Sequence, residues 1–246
     1  MIGELVGRGA VVTGAASGIG LALATRFGER GMRVVLADQD LAGAEQAAER
    51  LRGDGFDAYA APVDVSDPDA VDALADTAAQ LVGPVHLLAL NAGVVTGGRA
   101  WEIPLEEWHR VIDVNLWGVI HGVRSFVPTM LRCAEGGHIV ITGSMASVEP
   151  RALISPYVAS KHALLGLAGS LREELAEIGA GIGVTLVMPG RIRTAMVPEG
   201  APASAVADVV EVAVRDDLPY VFNDATRLAG VAAQFDLVLR AGVPRP

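Results

Sequence analysis

Residues 10–20 read Ala10-Val11-Val12-Thr13-Gly14-Ala15-Ala16-Ser17-Gly18-Ile19-Gly20. The apolar run Ala10–Thr13 reads as a buried strand, and it leads straight into a glycine-rich turn and a helix from about Ile19 to Arg30. A strand, a glycine turn and a helix start make a cradle for a diphosphate. The glycines let the backbone approach the phosphates, and the helix start supplies free N–H groups and a partial positive charge. The spacing is G-x-x-x-G-x-G, neither the commoner G-x-G-x-x-G nor a phosphate loop ending in Lys-Ser/Thr. Gly14, Ser17, Gly18, Ile19 and Gly20 are therefore the first candidate binding residues. A tight turn with close helix packing is the other use such glycines have.

The same alternation continues outward. Val34–Ala37, Ala58–Val63, His86–Leu90, His138–Thr142 and Val184–Val187 read as strands. Between them lie helical stretches over Leu41–Arg52, from Ser66 to about Leu81, over Leu105–Leu131 and over Pro156–Ile178. Asp40 is the expected cap of the Leu41 helix. Ser66-Asp67-Pro68-Asp69 reads as a cap at Ser66 with an acid three positions on. Short, nearly continuous apolar runs suit strands covered on both faces. Strict β-α-β alternation makes a parallel sheet with right-handed crossovers. The expected fold is α/β: one domain over residues 1–246, a doubly wound, Rossmann-like parallel sheet of about seven strands with helices on both faces. Ligands should bind at the carboxyl ends of its strands.

Composition closes off other classes. The chain has 246 residues, a net charge of −10 and 51% apolar residues. An acidic surface excludes the basic stripe that sequence-independent nucleic-acid binding needs, and it does not suit an anionic membrane. Charged or turn residues interrupt every apolar run before about 18 residues, so no spanning helix is expected. The first residues lack the basic start and long apolar core of a signal peptide. Cytoplasmic residence is the expectation. Cys133 is the only cysteine, which excludes an internal disulfide and suits a reducing compartment. His86, His109, His121, His138 and His162 show no metal-ligand spacing, so no metal site is expected.

Asp38 ends the second strand, 18 residues after Gly20. An acidic residue at such a distance binds ribose hydroxyls and repels a 2′-phosphate. No basic residue stands at Ser17 or Gln39 to welcome that phosphate. The expected cofactor is NAD, with NADP less favoured.

Ser144 follows the fifth strand, Tyr157 comes 13 residues later, and Lys161 lies one helical turn beyond. A free tyrosine titrates near about 10, and a neighbouring cation favours its phenolate. Tyr157 is then expected to exchange a proton with an alcohol or carbonyl oxygen, and Ser144 to hydrogen-bond the same oxygen. The 19 basic residues comprise 18 arginines and one lysine, and that lysine is Lys161. Arginine cannot stand in for a compact point charge.

With these motifs the chain resembles the short-chain dehydrogenase/reductase family in its compact form, over roughly residues 6–195. The shared motifs run in order: Thr13-Gly14-x-x-x-Gly18-Ile19-Gly20, Asn91-Ala92-Gly93, Asn115, Ser144, Tyr157-x-x-x-Lys161, and Pro189-Gly190-x-Ile192-x-Thr194. The resemblance implies Tyr157 as acid/base, Ser144 as partner of the substrate oxygen, and Lys161 as holder of the nicotinamide ribose. It implies that Asn115 anchors a proton-relay water. It places Asp64 and Val65 at adenine and Asn91, Ala92 and Gly93 along the cofactor cleft. Ile192 and Thr194 would hold the carboxamide and a neighbouring phosphate, and Pro189 and Gly190 would also contact the cofactor, an ordinary turn being their other use. It also implies a substrate lid near 191–205, where Arg191 or Arg193 could meet a carboxylate.

The expected activity is interconversion of a secondary alcohol and a ketone by hydride transfer. The alternative is a non-catalytic NAD-binding sensor or scaffold of the same fold. Met145, Ser147, Val148, Leu153, Ile154, Met188 and Met196 are expected as pocket walls, implying a largely apolar alcohol or ketone substrate. The chain departs from the family at its end, about 218–246. There Leu218–Phe222 reads as a last strand, followed by a helix to about Arg240. That departure bears on the usual tetramer contact. A homodimer or homotetramer is expected, with Ala159, Ala163, Gly166 and Ser170 allowing close helix approach. Packing within one subunit accounts for these small residues nearly as well. Trp101, Trp108 and Trp117 are expected to pack or to lie in an interface.

Overall fold

The computed structural model describes residues 4–133, 135–194 and 198–240. Its seven strands are β1 (Gly9–Thr13), β2 (Arg33–Asp38), β3 (Ala58–Pro62), β4 (Val85–Leu90), β5 (Gly137–Thr142), β6 (Ile182–Met188) and β7 (Tyr220–Phe222). They form one sheet in the order β3-β2-β1-β4-β5-β6-β7, and every pairing is parallel. The order reverses between β1 and β4, so the chain leaves their carboxyl ends in opposite directions and opens a crevice there.

The strands are buried on both faces because side chains alternate between two cores. Val11, Val35 and Ala37 face one core, built with Val71 and Leu74, Val119 and Phe126, and Leu164 and Leu171. These belong to helices α3 (Pro68–Val82), α5 (Gly118–Met130) and α6 (Ser155–Glu177). Ala10, Val12, Val34 and Leu36 face the other core with Leu23 and Phe27, Ala48 and Leu51, and Val206 and Val210. These come from α1 (Gly18–Glu29), α2 (Leu41–Gly53) and α7 (Ser204–Asp216).

Several details differ from the sequence expectations. The α3 cap is Asp67, whose carboxylate accepts the Asp69 N–H at 3.0 Å, with Pro68 opening the helix. Ser66 instead gives its hydroxyl to Asp64 at 2.6 Å. The aspartate wins because proline at the next position fixes the helix start there. The expected continuous helix over 105–131 is α4 (Leu105–Ile112), a π turn over Asp113–Trp117, and α5. Helix α7 overlaps the expected lid and packs on α1, where Arg26 bonds Asp208 at 2.5 Å and Glu211 at 2.8 Å. Its buried positions Val206, Ala207, Val210, Ala213 and Val214 follow a helical period within a valine-rich stretch. The chain closes with β7 and helix α8 (Leu228–Arg240). No helix among the described residues is long and apolar enough to cross a membrane.

Two predicted surface sets fall on the outside. Ala159, Ala163, Gly166 and Ser170 are exposed along α6, so packing within one subunit does not account for them. Trp101 is 78% exposed, with the Arg99 guanidinium 5.6 Å from its ring, and Trp117 stacks on His121.

Candidate functional site

The crevice at the carboxyl ends of the strands is a cavity of about 330 Å³. Its wall at β1 is the glycine turn. Gly14 has φ +66°, and a Cβ there would come within 2.9 Å of the Ala92 backbone. A Cβ on Gly20 would overlap the Gly14 carbonyl oxygen. Helix α1 begins beside the cavity with Ser17 as its cap, yet the Ser17 side chain makes no capping bond, and the first turn carries no acid. N–H groups at a helix start that no side chain caps, with no acid in the first turn, suit a diphosphate.

Asn91 forms the floor. Its amide nitrogen gives hydrogen bonds to the carbonyls of Thr13 at 3.1 Å and Gly14 at 3.3 Å. Its amide oxygen accepts the Thr142 hydroxyl at 3.1 Å. One side chain thereby ties β1, β4 and β5 together where the crevice opens.

Asp38 lines the far end. Its two carboxylate oxygens accept the N–H of Ala16 at 2.9 Å and of Asp40 at 3.0 Å. These bonds fix the carboxylate at the cavity edge and leave lone pairs for a ligand's hydroxyls. Asp64 and Val65 line the same end, and the Val65 carbonyl is bonded to the His121 ring at 2.9 Å. Lys161 is the single lysine or arginine among the residues lining the cavity.

At the opposite end the structure brings together Ser144, Tyr157 and Lys161. Ser144 caps a short 3-10 turn (Met145–Ser147), accepting the Ala146 N–H at 3.1 Å, and this holds its hydroxyl in place. The Ser144 hydroxyl acts on the Tyr157 phenol and favours its charged form. Lys161 is buried, with its Nζ 2.7 Å from the Thr142 carbonyl and 5.7 Å from the centre of the Tyr157 ring.

The electrostatics depart from the sequence expectation. Burial raises the Tyr157 phenol above its ordinary range, and the Ser144 bond and the Arg151 charge pull it down without offsetting that. Burial lowers the Lys161 ammonium to about 8. Desolvation outweighs the helix-neighbour attraction because each charged form has lost its water.

Ala92, Gly93, Pro189, Gly190, Ile192 and Thr194 also line the cavity. Gly20 and Asn115 lie behind its walls. Asn115, on the π turn, is fully buried. Its side chain accepts the Val94 N–H at 2.8 Å and gives hydrogen bonds to the Val94 carbonyl at 2.9 Å and Ser160 at 3.1 Å. Those bonds occupy both amide hydrogens, so the side chain acts on the loop after β4.

The remaining expectations sort by burial. Arg191 and Arg193 are exposed, and Arg191 lies 3.9 Å from Glu199. Met145, Val148 and Met188 are buried in the core and are not among the residues lining the cavity. Ser147 is spent on the Ser144 N–H at 3.2 Å, and Leu153 is 56% exposed. Met196 lies outside the described residues. The cavity adds Gln39, Val63, Val94, Val114, Thr142 and Gly143, each within two positions of a predicted residue. Adjacency in sequence was the signal that would have found them.

Comparison with known proteins agrees with this geometry. Residues 8–204 match the short chain dehydrogenase family. The chain is 40% identical to a 1-deoxy-11-beta-hydroxypentalenate dehydrogenase of Streptomyces exfoliatus, over 97% of this chain and 91% of the relative. It is 41% identical to the protein of that name from Streptomyces avermitilis, over 94% and 90%. A short chain dehydrogenase/reductase from Burkholderia phymatum, solved in complex with NAD, superposes with a TM-score of 0.94 at 33% identity, covering 100% of this chain and 99% of that one. LigD from Sphingobium sp. strain SYK-6, solved in its apo form, gives 0.92 at 30% identity, covering 98% and 100%. With a family match over most of the chain and relatives this similar along nearly their whole length, this protein belongs to the short chain dehydrogenases, a family of oxidoreductases.

Proposed function

We propose that this protein is an NAD-dependent oxidoreductase that interconverts a secondary alcohol and a ketone. The observation that carries the reading is the convergence of Ser144, Tyr157 and the buried Lys161 at one end of a cavity whose other end holds Asp38. The hydroxyl group in the name of the relatives' substrate supports an alcohol as the reduced substrate. Val94 and Val114 line the cavity and support a largely apolar one.

A dinucleotide held there would supply the hydride acceptor for oxidation and the hydride donor for reduction. The chain's own residues do the rest. The glycine turn and the start of α1 hold the diphosphate, and Asp38 holds the adenosine ribose. Ser144 fixes the substrate oxygen by a hydrogen bond. Tyr157 moves one proton between its phenol oxygen and that oxygen as carbon gains or loses hydride. The phenol keeps its proton at neutral pH, which suits donation to a carbonyl that is becoming an alkoxide. Lys161 holds positive charge beneath the ring and steadies the phenolate left behind. Asn115 holds Val94 and Ser160, and through Ser160 the first turns of α6.

The small exposed face of α6 supports a homodimer. A Cβ on Gly166 would meet nothing within 4 Å. Light scattering should give twice the chain mass, and a monomeric mass would end that part of the reading.

Tyr157→Phe should reduce turnover of secondary alcohols by on the order of a hundredfold or more, the usual scale of a lost proton-transfer group. NADH binding, followed by nicotinamide fluorescence, should stay within about twofold, since the phenol lies beside the reacting carbon. Near-normal turnover would refute the role given to Tyr157. Binding without turnover in the native protein, across a wide alcohol and ketone panel, would favour the sensor reading instead.

NADH should bind more tightly than NADPH, because Asp38 meets a 2′-phosphate with like charge. Asp38→Asn should narrow that difference, and a native preference for NADPH would overturn the assignment.

The Lys161 charge also has a thermodynamic signature. In the native state the ammonium titrates at about 8, against an ordinary 10.5. Between those values the unfolded chain binds the proton and the folded chain does not, so this lysine makes stability rise with pH across that window. Below about 8 both states are charged and the full cost of burial is present. Lys161→Met should therefore show its largest relative stability at neutral pH and lose that advantage by about pH 10. Urea unfolding at several pH values measures it, and a constant difference would contradict the burial argument.

A further inference from the structure

The amino-terminal edge of the sheet, opposite the crevice, holds a second chemical grouping. His86 stands at the start of β4, and Cys133 and Glu135 lie in the connection from α5 to β5. The three are scattered in sequence, 47 residues separating His86 from Cys133, and so carry none of the spacings by which metal ligands are recognised. Folding brings β4 and that connection together, and the three donor atoms then lie within 4.8 Å of one another.

The geometry points to a zinc-class divalent cation site formed by His86 Nε2, Cys133 Sγ and Glu135 Oε2. Nε2 is 3.0 Å from the Glu135 carboxylate and 3.4 Å from the Cys133 sulfur. A tetrahedral zinc with bonds of about 2.0 to 2.3 Å spaces its ligand atoms about 3.3 to 3.8 Å apart. The sulfur spacing falls inside that range and the carboxylate spacing lies just below it, so small side-chain rotations close the site. His86 is itself only 4% exposed. Its Nδ1 has no hydrogen-bond partner among the described residues, so Nε2, facing the other two groups, is what orients the ring. Arg8 donates to the Glu135 backbone carbonyl at 3.1 Å and lies 3.8 Å from its carboxylate. It thereby holds the turn that carries the ligand.

The ligand set selects the ion. A thiolate, an imidazole and a carboxylate suit zinc and its borderline neighbours, not calcium or magnesium, which take oxygen cages. Glu135 is exposed and Cys133 half-buried, so the ion enters from solvent and water completes the fourth position. On binding, the Cys133 thiol gives its proton to solvent and sulfur bonds the metal, with no change of oxidation state. The ion would pin β4 to the α5–β5 connection. None of the three residues lines the cavity that holds Tyr157.

Cobalt(II) reports a thiolate ligand directly. Titrating chelator-treated protein with Co²⁺ should produce a near-ultraviolet sulfur-to-cobalt absorption at one-to-one stoichiometry, and Zn²⁺ should abolish it. Cys133→Ser should lack the band. Glu135→Gln, an exposed change that leaves the core intact, should weaken Zn²⁺ binding by on the order of tenfold or more, at least the loss that follows removal of an outer-shell partner. NADH binding should be unchanged in both variants, which keeps this test separate from that of the proposed activity. No band at saturating Co²⁺, or equal Zn²⁺ affinity in Cys133→Ser and the native protein, would overturn the site.

Discussion

The crevice between β1 and β4 depends on one amide. Asn91 follows β4 and bonds backward to the carbonyls of Thr13 and Gly14 at the end of β1 and sideways to the Thr142 hydroxyl at the end of β5. Parallel strands that diverge in their connections leave polar backbone groups at the switch point, and buried ones must find partners. The Asn91 side chain supplies them. It fills the floor that a larger residue would raise, and it keeps the three strand ends in register. The glycine turn, Ser144 and the lysine that reaches the Thr142 carbonyl are all placed relative to that floor.

Polar groups elsewhere in the sheet are paired less completely, and His138 Nδ1 has no hydrogen-bond partner among the described residues. His138, at the start of β5, is fully buried and bonds Thr185 at 2.8 Å. Burial lowers its pKa to about 4, and the ring stays neutral across the physiological range. Arg172 and Asp217 lie close by in a two-pronged pair, with nitrogen–oxygen distances of 2.9 and 2.7 Å. Such pairs organise the edge of the sheet, where β6 meets the short β7. Lys161 differs because its charge has one protein acceptor and little water. A protein selected for stability alone would place an apolar side chain there. The retained cost makes sense only beside Tyr157.

The fold was legible because its signals are local. Ala10–Thr13 followed by three spaced glycines reads as strand, turn and helix within eleven residues, and the remaining strands repeat the theme. Tyr157 and Lys161 were legible because a helix sets residues four apart on one face. What the sequence hid is mostly tertiary. The π turn at Asp113–Trp117 follows no composition rule, and it is packing of Asn115 against Val94 and Ser160 that accompanies it. Helix α7 was hidden among valines, whose β-branching suggests strand while their spacing suggests helix. Asp67 displaced Ser66 as a cap because the proline between Asp67 and Asp69 sets where the helix begins. Met145 and Met188, expected at the pocket, lie in the core instead, because the fold sets which side of a strand end a side chain meets. His86, Cys133 and Glu135 were illegible for the plainest reason, that the loop from α5 and the start of β4 become neighbours only in the folded sheet.

The burial of Lys161 has one more consequence. Every other basic side chain in the sequence is an arginine. A protease that cuts only after lysine therefore has one target, and that target lies inside α6 with its side chain 3% exposed. Cleavage requires α6 to leave the sheet, and the bond is closed to the enzyme while the helix stays in place. The chain carries a built-in reporter: a single cut, whose rate reads how often the helix that bears Tyr157 comes undone.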